Sequence, residues 1–211
     1  MTHGAHKPLI FISDLHLQDS RPELTDALVR FLAEQRGACE ALYILGDLFE
    51  VWLGDDDTSR CGDKVSEALR DFTRSGSRLF LMHGNRDFLM GERFAAQSGA
   101  ELIQEPYRLK TAHGDIILLH GDSLCTDDLE YQHFRKLVRS AQWQSEFLAK
   151  SLQERAQFAK QARTKSQEAM AAQTEEILDV NQQSVLEFFQ LHGCPRLLRS
   201  EEHTSELQSL T

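Results

Sequence analysis

The sequence predicts an α/β fold in which a mostly parallel β-sheet is covered by helices. Short apolar runs alternate with amphipathic helical patterns over residues 8–98, as expected for parallel strands joined by helices. Four apolar runs end in polar clusters, which read SDLH, GDLFE, HGNRD and HGD. Because ligands bind at the carboxyl ends of the strands of such sheets, the four clusters are expected to meet at one edge. A chain of 211 residues is long enough for one domain of this kind with a sizeable core.

Apolar periodicity places each element in turn. The first strand is predicted over residues 8–13, and a helix over 22–35 carries one apolar face, formed by Leu24, Leu28, Phe31 and Leu32. The same reasoning predicts strands at 41–45, 78–82, 107–111 and 115–119, and helices at 64–75 and 91–98. The strands at 107–111 and 115–119 are expected to pair about a turn at His113-Gly114.

Residues 131–190, the helical segment, consist of consecutive helical patterns. Apolar residues are predicted to share a face along it: Phe134, Leu137, Val138, Ala141, Phe147, Leu148, Leu152 and Phe158. Residues 131–165 hold eight Lys or Arg against two Glu, although the net charge of the whole chain is −10. A basic amphipathic segment suits a negatively charged, lipid-bearing substrate at a membrane surface. An ordinary solvated helical hairpin is the alternative.

The polar clusters contain the residue types of a metal centre. Asp14 and His16 lie two residues apart, so both side chains project from the same side of an extended strand end. Asp47 follows the second strand, and its two carboxylate oxygens can bridge two ions. The alternative for Asp47 is a helix cap. His120 ends the fourth strand, and a single histidine considered by itself is usually structural rather than a metal ligand.

The cluster after the third strand adds a neutral ligand and a cation. The amide oxygen of Asn85 can bind a metal ion without adding negative charge to the centre. The guanidinium of Arg86 can bind a phosphate through two parallel hydrogen bonds. Asp87 is expected to orient Arg86 or His83, or else to form a salt bridge in a surface turn.

Taken together, the clusters predict a centre for two metal ions. Oxygen and nitrogen ligands without thiolates suit manganese, iron or zinc. Two ions about 3.5–4 Å apart can stabilise an in-line displacement at phosphorus. The predicted reaction is therefore phosphoester hydrolysis, with ligands from the four strand ends: Asp14, His16, Asp47, Asn85 and His120.

These motifs, in this order, resemble the calcineurin-like metallophosphoesterases. Longer strings are similar to the UDP-2,3-diacylglucosamine hydrolases of lipid A biosynthesis: GDLFEVWLGDD at 46–56, HGNRDFL at 83–89, HGDSLCTDD at 120–128 and DVNQ at 179–182. The resemblance covers nearly all of residues 8–198. It implies the layered sheet-and-helix fold of that superfamily, with the helical segment inserted as a lid.

The resemblance implies hydrolysis of the pyrophosphate bond of UDP-2,3-diacylglucosamine. Water would attack the α-phosphorus and release UMP and 2,3-diacylglucosamine 1-phosphate. Two Mn²⁺ ions are implied, one held by Asp14 and His16 and the other by Asn85 and His120, with Asp47 bridging both. A cytoplasmic enzyme, peripheral on the cytoplasmic face of the inner membrane, is implied as well.

Substrate contacts are also implied by the resemblance. Asn85 and Arg86 would contact the phosphates and share catalytic roles with Asp47 and His120, and Asp128 and Ser166 would contact other parts of the substrate. Gln173 stands where the family has a lysine, which removes a positive charge from the expected substrate site. Met170 stands where the family has an asparagine.

The end of the chain departs further from the family pattern. The family supplies two more metal-binding histidines from a GHTH-type motif, whereas this chain reads RSEEHTSELQSLT after Leu198. That string is similar to the translation of a common sequencing-library adapter. Residues 1–198 are therefore predicted to form the phosphoesterase domain, and the polar residues 199–211 a disordered tail.

Composition and charge also bear on other classes of function. The acidic net charge argues against a nucleic-acid partner. No apolar run is long enough to span a membrane, and the first residues lack a signal-peptide pattern. Another two-metal phosphoesterase could use the same scaffold, and the basic helical segment favours a lipid-bearing substrate over that alternative. An inactive, truncated binding scaffold is the remaining alternative, and manganese-dependent hydrolysis would exclude it.

Overall fold

The structure is a computed structural model that describes residues 7–57, 59–172, 180–193 and 196–200, with residues 169–172 described by their backbone alone. The chain divides into two compact units, Met1–Glu105 and Pro106–Thr211. Each unit contains a β-sheet of its own. The predicted tail at 199–211 lies outside the described residues apart from its first two positions.

The first unit is built on a parallel sheet with the strand order β1-β2-β3-β4. Its strands are β1 (Leu9–Ile12), β2 (Ala41–Leu45), β3 (Arg78–Met82) and β4 (Glu101–Ile103). Its helices are α1 (Pro22–Gln35), α2 (Arg60–Arg74) and α3 (Glu92–Ser98). This alternation of parallel strands and helices confirms the predicted α/β class.

Burial explains why these segments form a sheet. Every residue of β2 is buried, and the ring of Tyr43 stacks between those of Phe11 and Phe80, with centroids 5.1 and 4.5 Å away. The predicted bounds of α1, β2 and β3 are confirmed. Helix α2 begins four residues before its predicted start, because the Ser59 hydroxyl accepts the Gly62 N–H at 3.0 Å and caps the helix.

The second unit contains a sheet of different topology. Its strands are β5 (Tyr107–Thr111), β6 (Gly114–Leu118) and β7 (Leu197–Leu198). Strands β5 and β6 form the predicted antiparallel hairpin, and β7 pairs with β6 in parallel. The fourth polar cluster therefore follows a strand of a separate sheet, so the prediction that all four clusters end strands of one sheet is wrong. The tight turn at 113–114 makes β5 and β6 antiparallel, whereas parallel strands need a crossover connection.

The helical segment is divided by caps that the apolar pattern did not reveal. Its helices are α4 (Leu129–Val138), α5 (Ala141–Leu148), α6 (Leu152–Ala172) and α7 (Gln182–His192). Ser140 caps α5 by accepting the Trp143 N–H, and Ser151 forms a reciprocal capping box with Glu154 at the start of α6. Within the described ranges, no helix is long and apolar enough to cross a membrane.

Candidate metal centre

Three residues of the first unit form a group that can hold a metal ion. Asp14 and His16 follow β1, and Asp47 follows β2. One potential ligand atom from each of the three lies within 4.8 Å of the others. They come together because β1 and β2 pair in parallel, Ile12 opposite Ile44, so both strands end at the same edge. The prediction that these strand ends meet is confirmed.

The backbone at these three residues is unusual. Asp14, His16 and Asp47 have φ angles of 56°, 47° and 52°, and within the described part of the chain no other residue except glycine has a positive φ. The left-handed region is disfavoured for residues with a Cβ, and such strain tends to concentrate at functional sites. Two backbone hydrogen bonds hold the strained loops together, from Asp14 N–H to Gly46 O at 3.2 Å and from His16 N–H to Asp47 O at 3.0 Å. The fold thus maintains a costly backbone geometry where the ligand atoms converge.

The ring of His16 lies between two carboxylates. Its Nε2 atom is 3.9 Å from Asp47 Oδ2, and its Nδ1 atom is 3.1 Å from Glu50 Oε2. The Glu50 carboxylate therefore lies on the Nδ1 side of the ring and the Asp47 carboxylate on the Nε2 side. No role was predicted for Glu50 from the sequence. Its position three residues after Asp47, in the same loop, could have indicated that it lies near the site.

Asp47 is also in contact with the loop that follows β3. The side chain of Asp47 is 2% exposed, and its Oδ1 atom accepts the backbone N–H of Arg86 at 2.9 Å. Gly84 packs so closely that a Cβ atom placed on it would lie 2.7 Å from Asp47 Cγ. The backbone on both sides of Asn85 therefore contacts Asp47, so three strand ends meet at this edge of the sheet.

Asp87 has a different role from the one expected. It is 1% exposed, and its carboxylate accepts backbone N–H groups of Leu48, Phe49 and Gly84. The expected surface salt bridge is wrong, because the residue is buried. The contacts described for the carboxylate are to backbone rather than to Arg86 or His83, and His83 Nε2 instead lies 2.7 Å from the carbonyl oxygen of Met90.

Arg86 has a fixed backbone. Its N–H donates to Asp47, and its carbonyl oxygen accepts the Trp52 N–H at 3.2 Å. Within the described residues, no hydrogen-bond partner faces its buried Nε atom. Because the backbone of Arg86 is fixed and its Nε–H donor is not used within the described residues, its guanidinium can bind an anion beside Asp47.

The predicted ligand His120 lies in the second unit, two residues beyond the end of β6. It is 1% exposed, and its carbonyl oxygen accepts the Ser200 N–H at 3.0 Å. Its neighbour Asp122 is fully buried and accepts hydrogen bonds from Tyr131 Oη at 2.6 Å and Arg135 Nε at 2.8 Å.

Charged neighbours determine how this buried carboxyl titrates. Burial by itself would raise the pKa of Asp122, but His120, Arg139 and Arg135 outweigh that effect and hold the pKa well below its usual range. Burial, followed by the Asp122 charge, raises the pKa of Tyr131. The loop that carries His120 is thereby attached to helix α4 through an ionised carboxylate.

The two further substrate residues predicted from the sequence lie in the helical segment. Asp128 caps α4, because its Oδ1 atom accepts the Tyr131 N–H at 2.9 Å. Ser166 is exposed on α6. Gln173, Asp179 and the Met170 side chain lie outside the described residues. The substrate contacts of Asp128 and Ser166 stay predictions.

The apolar face predicted for the helical segment is only partly buried. Val138 and Phe147 are buried, whereas Leu137 is 55% exposed and Leu148 and Phe134 are exposed as well. Phe147 packs with Trp143 and Phe158, with ring centroids 4.5 and 5.2 Å away. A hairpin that buried its whole apolar face would not leave Leu137, Leu148 and Phe134 in contact with solvent.

The donor set at the edge of the first sheet fits a divalent cation. Two carboxylates and one imidazole converge within 4.8 Å, and the set contains no thiolate. Oxygen and nitrogen donors of this kind bind manganese, iron or zinc in proteins. The carboxylate of Glu50 lies 3.1 Å from Nδ1 of the histidine, and metal-binding histidines commonly have a carboxylate at that nitrogen.

Comparisons with known proteins agree with such a site. The sequence model of a family described as calcineurin-like phosphoesterase matches residues 7–194. A UDP-2,3-diacylglucosamine hydrolase of Chromobacterium violaceum is 48% identical over 92% of this chain and 81% of the relative. A protein of the same name from Stenotrophomonas maltophilia is 42% identical over 95% of this chain and 84% of the relative. Another, from Marinobacter nauticus, is 40% identical over 95% of this chain and 82% of the relative.

Proposed function

We propose that this chain hydrolyses UDP-2,3-diacylglucosamine in lipid A biosynthesis. The premise is that the chain belongs to the calcineurin-like phosphoesterases, and among them to the UDP-2,3-diacylglucosamine hydrolases. Water attacks the α-phosphorus, the bond to the bridging oxygen breaks, and UMP and 2,3-diacylglucosamine 1-phosphate are released. The observation that carries the proposal is the convergence of Asp14, His16 and Asp47 on strained backbone.

The metal ions are proposed to be two Mn²⁺. Asp14, His16 and Asp47 would hold one ion, and the resemblance adds Asn85 and His120, with Asp47, as ligands of the other. Divalent ions bound there would supply Lewis acidity at the phosphoryl oxygens and would lower the pKa of water. Glu50 is proposed to help orient the His16 ring, because its carboxylate lies 3.1 Å from Nδ1.

Arg86 is proposed to bind the phosphates of the substrate. Its backbone is hydrogen-bonded on both sides, so the guanidinium extends from a fixed point beside Asp47. A cation there stabilises negative charge that builds up on the phosphoryl oxygens as the bond to the leaving group breaks. Asn85 precedes it in the same loop and is proposed to contact the phosphates as well.

The helical segment is proposed to bind the acyl chains and to place the protein at the cytoplasmic face of the inner membrane. Exposed apolar side chains such as Leu137 and Leu148 are accompanied by basic residues, including Lys136 of α4 and Lys150 two residues after the end of α5. Such a surface can contact lipid tails and anionic head groups together.

The test is hydrolysis of synthetic UDP-2,3-diacylglucosamine with added Mn²⁺ in water enriched in ¹⁸O. Attack at the α-phosphorus puts the label in UMP, whereas label in the sugar phosphate would contradict the proposed reaction. Asp47→Asn is expected to retain less than about a tenth of the turnover, equivalent to at least ~1.4 kcal/mol of barrier. Asp71→Asn, which removes an exposed carboxylate paired with Arg36, is the matched control and should be as active as the parent.

UDP-glucosamine without acyl chains separates this substrate from those of other phosphoesterases on the same scaffold. A much higher KM is expected for it, because it cannot use the apolar surface of the helical segment. Equal kinetics on the two substrates would refute the proposed acyl site and favour a phosphoesterase of different specificity.

A further inference from the structure

We infer that Asp87 is a positioning residue, which sets the place of Asp47 and Asn85 by fixing the loops that carry them to each other. The inference rests on the proposed metal centre and does not depend on the identity of the substrate. It concerns a side chain that neither the expected ligand set nor the expected substrate contacts include.

The contacts of the Asp87 carboxylate connect two loops. Its Oδ2 atom accepts the N–H of Leu48 at 2.8 Å and, more weakly, that of Phe49 at 3.5 Å. Its Oδ1 atom accepts the N–H of Gly84 at 2.8 Å. Leu48 directly follows Asp47, and Gly84 directly precedes Asn85, so each oxygen holds the backbone next to a proposed ligand.

Burial makes this arrangement difficult to replace. Asp87 is 1% exposed, so water cannot easily take over the backbone N–H groups if the carboxylate is lost. The same two loops are joined a second time by the hydrogen bond from Arg86 N–H to Asp47 Oδ1. A shift of the Gly84–Asp87 loop would therefore act directly on the carboxylate of Asp47.

A second carboxylate in the same unit provides a matched control. Asp55 accepts the N–H groups of Gly91 at 2.9 Å and Phe94 at 3.0 Å, and also the indole N–H of Trp52 at 3.0 Å. From the loop after β2 it holds the backbone at the start of α3 through N–H groups, just as Asp87 holds backbone N–H groups beside Asp47 and Asn85. Its contacts lie further along each loop, beyond Arg86 and beyond Glu50, away from the residues adjacent to the proposed ligands.

Asparagine is the informative substitution at Asp87. An amide has one accepting oxygen, while its NH₂ group is a donor. In either orientation of the amide, that NH₂ group faces a backbone N–H on one side, either that of Gly84 or those of Leu48 and Phe49. One of the two loops is therefore released with almost no change in side-chain volume.

The experiment is a titration of the full chain with Mn²⁺ in the absence of substrate, followed by electron paramagnetic resonance of the free ion. We expect Asp87→Asn to weaken Mn²⁺ binding about 10- to 100-fold, the usual effect of removing a group that holds metal ligands in position. Asp55→Asn should lower the melting temperature by a comparable amount and leave the Mn²⁺ affinity unchanged. Hydrolysis by Asp87→Asn should recover as the Mn²⁺ concentration is raised.

Equal Mn²⁺ affinities for the parent and Asp87→Asn would overturn the inference, and so would an equal loss of affinity in Asp55→Asn, because the effect would then follow stability alone. If Asp87→Asn does not fold, amide hydrogen exchange of the parent decides: slow exchange at Leu48 and Gly84 supports the inference, and exchange as fast as in exposed loops refutes it. Failure of the proposed substrate to react, with Mn²⁺ binding affected as described, would contradict the proposed function alone.

Discussion

Gly84→Ala is expected to disrupt the metal centre without changing any ligand. A Cβ atom at this position would lie 2.7 Å from Asp47 Cγ and even closer to the backbone nitrogen and Oδ1 of the same residue. Asp47 cannot move aside freely, because Arg86 N–H holds its Oδ1 atom and its own carbonyl oxygen accepts the His16 N–H. Either the loop after β3 or the carboxylate has to shift.

The magnitude follows from these distances. Adding a methyl group to a closely packed site costs about 1–3 kcal/mol of stability. A displacement of reacting groups by about 1 Å costs roughly 100-fold in rate, which corresponds to ~2.7 kcal/mol of barrier. The expected result is therefore a folded protein, measurably less stable, with a turnover number reduced about 100-fold and weaker Mn²⁺ binding.

The assay compares Gly84→Ala with Gly76→Ala. Gly76 has a φ of 95°, and a Cβ there would meet nothing within 4 Å, so that substitution introduces backbone strain without a collision. It should cost about 1–2 kcal/mol of stability and leave Mn²⁺ binding and turnover as in the parent. Turnover of Gly84→Ala within threefold of the parent would refute the reasoning.

Three further substitutions test other parts of the structure. Arg86→Ala should keep the Mn²⁺ content and lower kcat/KM about 10²- to 10³-fold, as for other donors to a transition-state oxyanion; loss of bound metal or of folding would instead make Arg86 a structural residue. Glu50→Gln should weaken Mn²⁺ binding about 10-fold, because the His16 ring loses its charged partner, and an unchanged titration would contradict that role. Asp122→Ala should lower the free energy of unfolding in urea by about 3–5 kcal/mol, because it leaves the hydroxyl of Tyr131 and the guanidinium of Arg135 without their buried acceptor. A loss below about 1 kcal/mol would show that water replaces the Asp122 carboxylate.

Local apolar patterns predicted every helix and strand of the first unit except β4. The run ALYIL at 41–45 is buried at every position, as a central parallel strand requires, and its bounds were predicted correctly. Strand β4 was missed because three residues carry almost no periodicity. Helix α2 was predicted to begin at residue 64 because its apolar face begins there, whereas the Ser59 cap starts it earlier.

The residues of the candidate centre were predicted more easily than the residues that contact them and their loops. Asp14, His16 and Asp47 stand at the ends of apolar runs, and the parallel pairing of β1 and β2 follows from the alternation of strands and helices. Glu50 contacts a ring nitrogen of His16, and Asp87 accepts backbone N–H groups from its own loop and from the loop after β2. No pattern along the chain records such contacts.

The sequence by itself determined the class of fold, the chemistry of the ligands and the family, since each depends on residue type and on order along the chain. Only the tertiary structure decided that β6 belongs to a separate sheet, because strand pairing depends on long-range hydrogen bonds as well as on local periodicity. It also decided that Asp87 is buried against two loops and that Leu137 is exposed on its helix. Burial and backbone hydrogen bonding arise from packing between segments distant in sequence, so only the folded chain determines them.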